Sequence, residues 1–400
     1  MIEINTICEL LLEALQDAGY NKSTIFNYQG AVRRFKAFCS EKDVTVYTTE
    51  FGKLYSDDVI SPKTGQFSTE RYHLHGRFIR LMNSYYSTGQ FDFSIVKRGK
   101  VAPTNPLHKD VYGGYQKVLH MQYTNENTIH FYEYEFYYFL QFLHSAGIDD
   151  IATITPETLF SYIQTSKTNR QRAVLCGLRS SMKYLRRDDL IVSILGIHSP
   201  RARRIIPTLT DDENQRLSTA IESSEVTLRD AAIVLLGMSS GIRACDLIKL
   251  KLSDIDWISE TISFHQSKTG NFVCLPLIPS VGNAIFRYLH EERPAANNDF
   301  LFVRELAPFD PFTDHSSCYE VVRRVFCQAG IDKESRILGM CLLRHNAAST
   351  MVKNAVPIET IAAVLGHVNP DTTDIYITTD EYRLRECVLP MTGISKEVNP

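Results

Sequence analysis

A seven-position match inside the first half of the chain limits its fold more than any other feature. Asn21, Thr24, Ile25, Tyr28, Val32, Phe35 and Phe38 recur at a constant offset of 104 as Asn125, Thr128, Ile129, Tyr132, Phe136, Phe139 and Phe142. In both copies the apolar positions are spaced three and four residues apart, the period of a helix that buries one face. An asparagine, able to accept from the free N–H groups of a first helical turn, stands just ahead of each. Each copy leads into a second helical pattern, around Ser68 to Ser87 and Asn169 to Arg186. The spacing therefore predicts two related all-helical units, 1–105 and 106–198, joined by GKVAPTNPLHKD. Two unrelated amphipathic helices that both favour aromatic residues remain the alternative, because seven positions make a short match.

At 400 residues the chain exceeds one ordinary core and divides naturally into two or three domains. HSPRARRIIPTL combines two prolines with three arginines and has no helical period, so 199–206 reads as a basic linker. A further domain follows over 207–400. Thr210 and Asp211 announce its first helix, and an apolar helix from Leu228 to Met238 is stopped by Ser239, Ser240 and Gly241. SDIDWI, ETISFHQ and NFVCLPL are short β-prone runs, the last two joined by SKTG, and predict a small antiparallel sheet. Helical patterns return from Ser316, including ILGMCLLRHNAASTMV and PIETIAAVLG, with 293–315 as an irregular connection. The fold class expected is mostly α with a small antiparallel sheet.

Composition narrows the function. No stretch approaches the ~20 apolar residues of a membrane span, and MIEINTICELLLEALQDAG lacks the basic run that opens a secretory signal, so a cytoplasmic location is expected. The nine cysteines are scattered without a CxxC pair, which indicates neither a disulfide framework nor a zinc cluster. Net charge is only −3, yet Lys167, Arg170, Arg172, Arg179, Lys183, Arg186, Arg187, Arg201, Arg203 and Arg204 crowd one stretch in which Asp188 and Asp189 are the only acids. Such a local basic surface can hold phosphates. A solvated helix face followed by a charged linker is the plainer alternative.

Four residues at element ends suggest chemistry. GIRACD puts Arg243 after a helix-ending glycine, LLRHNAAS puts Arg344 near a helix start, and LGHVNPDTTDIY puts His367 after Gly366 with Tyr376 nine positions on. Guanidinium forks match phosphate oxygens and keep their charge at any relevant pH. Two arginines, a histidine and a tyrosine could gather round one phosphate.

In that order and spacing, GIRACD, the lysine of SKTG, LLRH, and LGH followed by Tyr376 resemble the catalytic boxes of the tyrosine recombinase (phage integrase) family. The resemblance is strong over about 207–390. Residues 118–198 look like the family's helical core-binding domain, and the first hundred residues are reached only through the internal repeat. The resemblance implies that Arg243 and Arg344 clamp the scissile phosphate of double-stranded DNA, that Lys268 protonates the departing 5′ hydroxyl, that His367 donates to the same phosphate, and that Tyr376 is the nucleophile. It further implies a clamp of helical units and catalytic domain on the duplex. Arg170, Arg172, Arg179, Lys183, Arg201, Arg203 and Arg204 are then DNA-contact candidates. Retention of phosphodiester energy in a 3′ phosphotyrosyl link would make a cofactor or metal unnecessary.

One departure stands out. The family's histidine three residues before the second arginine is Cys341 here, and a thiol is poorly suited to accept the tyrosine proton. Asp246 stands where glutamate is common and can still orient Arg243 or cap nearby backbone, while His345 reads as structural. The helical tail EYRLRECVL resembles the segment that docks on a neighbouring protomer, implying a homo-oligomer, a tetramer on paired sites, with accessory DNA-bending or directionality proteins as further partners. A non-catalytic DNA-binding relative and a type IB topoisomerase-like relaxing enzyme are the rival readings.

Overall fold

Asn21 and Asn125 both cap helices. The Asn21 Oδ1 accepts the Thr24 N–H at 2.8 Å, and the Asn125 Oδ1 accepts those of Asn127 and Thr128 at 2.9 and 3.3 Å. In this computed structural model, which describes residues 2–94, 102–197, 208–332, 336, 338–367 and 373, the chain divides into two units. One is Met1–Ile95 together with Ile205–Pro400, and the other is Val96–Arg204.

The first unit opens with β1 (Ile2–Glu3), α1 (Ile4–Asp17), α2 (Lys22–Glu41), β2 (Val46–Tyr47), α3 (Thr49–Ser56) and α4 (Thr69–Thr88), with β1 and β2 paired antiparallel. The second consists of α5 (Pro106–Gln122), α6 (Glu126–Ser145), α7 (Pro156–Thr165), α8 (Gln171–Tyr184) and α9 (Asp188–Leu195). Helices α2 and α6 are 20 residues each and lie at the offset of 104. In both units burial follows this register: Cys8, Leu11 and Leu15 of α1 are buried with Phe35 of α2, and Tyr112, Tyr115 and Leu119 of α5 with Phe139 of α6. So do the turns that end α2 and α6. Asp43 and Gly147 both have positive φ, and the next residue's N–H returns to the helix, Val44 to Cys39 O at 3.0 Å and Ile148 to Leu143 O at 2.9 Å. Each helix pair closes on an aromatic triad. Tyr55 meets Phe35 and Phe38 at 5.0 and 5.2 Å between ring centres, and Tyr162 meets Phe139 and Phe142 at 5.1 and 5.2 Å. The Tyr55 pairs meet edge-on and the Tyr162 pairs are tilted, and aromatic pairs at such separations add about 0.5–1.5 kcal/mol beyond the area they bury.

The remainder of the first unit runs α10 (Asp211–Glu222), α11 (Leu228–Ser240), α12 (Ala244–Leu247), β3 (Ile255–Asp256), β4 (Thr261–His265), β5 (Phe272–Pro276), α13 (Pro279–Arg287), α14 (Ser316–Gln328), α15 (Met340–Lys353) and α16 (Ile358–Leu365). The expected small antiparallel sheet forms in the order β3-β4-β5, with Ile262 opposite Leu275 and Phe264 opposite Val273 on its buried face. Helix α11 runs through the middle of this core with Ala232, Ile233, Val234 and Leu236 buried. Gly237 lets α15 press against it, since a Cβ there would lie 2.8 Å from Met340 Cε and 2.9 Å from Leu343 Cδ1.

Two readings need correction. Residues 279–292, passed over in the sequence, form α13 and a π-helical turn to Glu292, with Val281, Ile285 and Tyr288 buried along one face. Helix α15 starts at Met340 after Gly339, whose φ of 116° ends the preceding loop, so Leu338 and Gly339 are not part of it. Among the described residues no helix is long and apolar enough to cross a membrane.

Candidate active site

Arg243 is aimed by the way α11 ends. Gly241 closes the helix at φ 61°, a conformation that costs a residue with a Cβ about 1–2 kcal/mol. A Cβ there would also sit 2.8 Å from Leu365 Cδ2. The chain then turns through buried Ile242, and Arg243, in extended backbone, is the residue that precedes α12. Among the described residues its Nη1 is buried without a hydrogen-bond partner, 4.0 Å from Asp246 Oδ2, which likewise makes no hydrogen bond. Leaving such a donor unsatisfied costs roughly 1–3 kcal/mol, which an acceptor arriving from outside would relieve. The other Asp246 oxygen, Oδ1, accepts the Ser267 N–H at 2.6 Å and so ties the arginine's turn to the β4–β5 hairpin.

Arg344 comes from the first turns of α15 and is buried. Its Nη1 donates to Gly241 O and its Nη2 to Leu365 O, each at 2.8 Å, which joins the ends of α11 and α16. Nη2 also lies 2.8 Å from His367 Nε2, and His367 Nδ1 lies 2.7 Å from Thr373 Oγ1. A guanidinium can only donate, so Nε2 carries the lone pair and the ring proton sits on Nδ1, donated to the threonine hydroxyl. The ring's acidity agrees. Burial first, then the charges of Arg344, Arg243 and Lys268, hold the His367 pKa down from 6.5 to about 4. Three cationic groups from separate segments thus act on the His367 ring.

Lys268 stands exposed at the tip of the hairpin, where Gly270 turns the chain at φ 73°. Two residues earlier, Gln266 is buried, and its Nε2 donates to Leu365 O at 3.0 Å. Cys341 Sγ lies 3.1 Å from His345 Nε2, one helical turn on. Packing around the sulfur pushes the Cys341 thiol up, only partly offset by Arg344, and burial followed by Arg344 pushes His345 down. A protonated thiol beside a neutral imidazole is the state these shifts favour near neutrality.

Among the DNA-contact candidates, Arg172, Arg179 and Lys183 share one stripe of α8, with Arg179 Nη2 donating to Ile194 O at 3.4 Å. Arg170 pairs with buried Glu135 and lies 5.4 Å over the Tyr134 ring. Tyr376, Arg201, Arg203 and Arg204 lie outside the described residues. Sequence reasoning missed Gln266, Thr373 and the Leu365 carbonyl. The only sequence signal for the first was a polar residue ending a strand whose neighbours alternate inward.

The geometry invites comparison with proteins that act on phosphodiesters. The phage integrase family matches residues 207–383. The chain is 34% identical over 181 residues to the integrase/recombinase y4gC of Sinorhizobium fredii, spanning 45% of this chain and 92% of that one. It is 27% identical over 394 residues to y4rA of the same bacterium, 95% of this chain and 93% of the other. Among solved structures, the XerH site-specific recombinase bound to palindromic difH substrate, a post-cleavage complex, shares the fold with a TM-score of 0.54 at 20% identity, over 69% of this chain and 83% of that one. The chain belongs to the tyrosine recombinase family.

Proposed function

We propose that this protein is a site-specific DNA recombinase of the cytoplasm that cuts and rejoins strands through a 3′ phosphotyrosyl intermediate, in integration, excision or transposition of a mobile element. The observation that carries the reading is the buried Arg243 Nη1, without a hydrogen-bond partner among the described residues, in a cluster where burial first, and then Arg344, Arg243 and Lys268, depress His367. Such concentrated positive charge is matched to an anion with several oxygens, and among the described residues the nearest carboxylate oxygen paired with Arg243, Asp246 Oδ2, stays at 4.0 Å, beyond hydrogen-bond distance.

In this reading Arg243 and Arg344 hold the non-bridging oxygens of the scissile phosphate. The Tyr376 oxygen attacks phosphorus, the bond to the 5′ oxygen breaks, and Lys268 gives that oxygen its proton. A free phenol has a pKa of about 10, so the surrounding cations must favour its anion in the site. One phosphodiester replaces another, and the reverse attack by a 5′ hydroxyl rejoins the strand. With phosphate bound, His367 donates to it in place of accepting from Arg344. The α8 stripe with the linker arginines contacts the duplex, residues 106–198 act as the core-binding domain, and a tetramer on paired sites carries out exchange. The XerH complex, captured with its substrate, and the family's strand-transfer chemistry support this.

Cys341 favours one second reading, a DNA-binding relative that does not cleave, because its thiol is held protonated. The test separates them. Purified protein and a Tyr376→Phe control are incubated with a pool of nicked duplexes randomised at the centre, and denaturation-resistant adducts are recovered and sequenced. Adducts with wild type only, on an enriched sequence, support the recombinase. Sequence-specific binding without any adduct refutes cleavage and leaves the second reading.

A further inference from the structure

Lys268 is exposed on a hairpin tip, yet an acid for a departing oxygen must be held to a fraction of an ångström. The only side chain of its hairpin for which the described residues give a hydrogen bond to α16 is that of Gln266. Its backbone closes the hairpin: Gln266 N donates to Asn271 O at 2.9 Å, and Gly270 N donates to Gln266 O at 2.8 Å. Its amide works in two directions. Oε1 accepts from Thr269 Oγ1 at 2.8 Å, and Nε2 donates to Leu365 O at 3.0 Å. That same carbonyl receives Arg344 Nη2 at 2.8 Å. One acceptor therefore fixes the lysine's hairpin and the buried arginine to the turn that carries His367. Gly366, at φ 62°, packs flat on the Gln266 amide, and any Cβ there would overlap it. An amide is costly to bury unless its hydrogen bonds are made, and an apolar side chain would fill this place more cheaply, so its presence calls for a polar task.

We infer that Gln266 is a positioning residue that holds the Lys268 hairpin in register with the Gly366–His367 turn, an inference that rests on the phosphotyrosyl reading above. Lys268 would act on the departing 5′ oxygen only while this clasp is closed.

The test uses the full chain and two forms of a duplex that wild type cleaves, one all-oxygen and one with a 5′-bridging sulfur at the scissile phosphate. A thiolate leaves without taking a proton, so the sulfur substrate bypasses the acid and nothing else. Gln266→Met keeps length and volume while removing both side-chain hydrogen bonds. It is expected to lower the cleavage rate on the oxygen substrate by roughly 10- to 100-fold, the scale for a group misplaced by about an ångström. On the sulfur substrate the rate should return close to that of wild type, as it should for Lys268→Ala. Thr269→Val, at the hairpin tip, should give the same pattern to a smaller degree and carries the test if Gln266→Met does not fold. Equal loss on both substrates with unchanged DNA affinity, or no loss on either, overturns the inference while wild-type cleavage stands. Failure of wild type to form an adduct on both substrates overturns the cleavage reading and this one with it.

Discussion

The neutral His367 ring has a consequence that can be measured without knowing the DNA sequence. Its folded-state pKa lies near 4, against 6.5 in an unfolded chain. Between those values the unfolded chain binds the proton and the folded protein does not. Stability from this group is therefore full above pH 6.5 and is lost as pH falls through 4. From pH 7 to pH 5, full linkage at 1.36 kcal/mol per unit would remove about 1.8 kcal/mol; solvent reaching the half-buried ring reduces this to roughly 1 kcal/mol. The perturbation is His367→Gln, which keeps an acceptor for Arg344 and cannot titrate. Urea unfolding of both proteins at pH 7 and pH 5 isolates the ring, because every other titrating group is common to the two. Wild type should lose roughly 1 kcal/mol more than the variant. The ring resonance absent from the variant's NMR spectrum should titrate well below 6.5 in wild type and move upward when a short duplex supplies a phosphate. A His367 ring that titrates at or above 6.5 without DNA would refute the argument, since a protonated Nε2 cannot accept from Arg344.

Three further outcomes are expected. Gly366→Ala should cost roughly 2–4 kcal/mol in urea unfolding, from positive-φ strain plus displacement of the Gln266 hydrogen bonds, whereas Gly270→Ala, with φ 73° and open space around it, should cost only the strain of about 1–2 kcal/mol. Phe139→Ala should destabilise Val96–Arg204 by about 3–5 kcal/mol, read as an earlier urea transition. Cys341→His, which returns an imidazole to the place beside Arg344, should raise the rate of adduct formation at pH 7 by roughly tenfold or more if proton acceptance limits the wild type, and an unchanged rate would show that the phenol proton leaves by another path.

The element ends that carry chemistry were legible because glycine, proline and capping residues act locally. Gly241 ahead of Arg243, Gly366 ahead of His367 and the turn in SKTG each name a helix or strand end within a few residues. The asparagine caps at 21 and 125 were legible for the same reason. What stayed hidden depends on distance in sequence. Gln266 matters through Leu365, 99 positions away, and Asp246 reaches Ser267 across 21 positions. No periodicity encodes such a contact. Helix α13 escaped because Pro279 at its first turn, a favourable place for proline, resembles a break when read linearly. The depressed pKa of His367 likewise needs burial first and then three cations from three segments, so only the folded chain contains it.

The twin aromatic triads give this chain interchangeable parts. Phe35, Phe38 and Tyr55 repeat the spacing of Phe139, Phe142 and Tyr162 to about 0.1 Å between ring centres. A mutational series in one copy thus has a built-in replicate in the other, with the same shapes pressed together under a different surface. Rankings of tolerated side chains at Phe35 should transfer to Phe139 and those at Tyr55 to Tyr162, so that one polypeptide can be used to ask how far a packing solution is independent of the sequence that surrounds it.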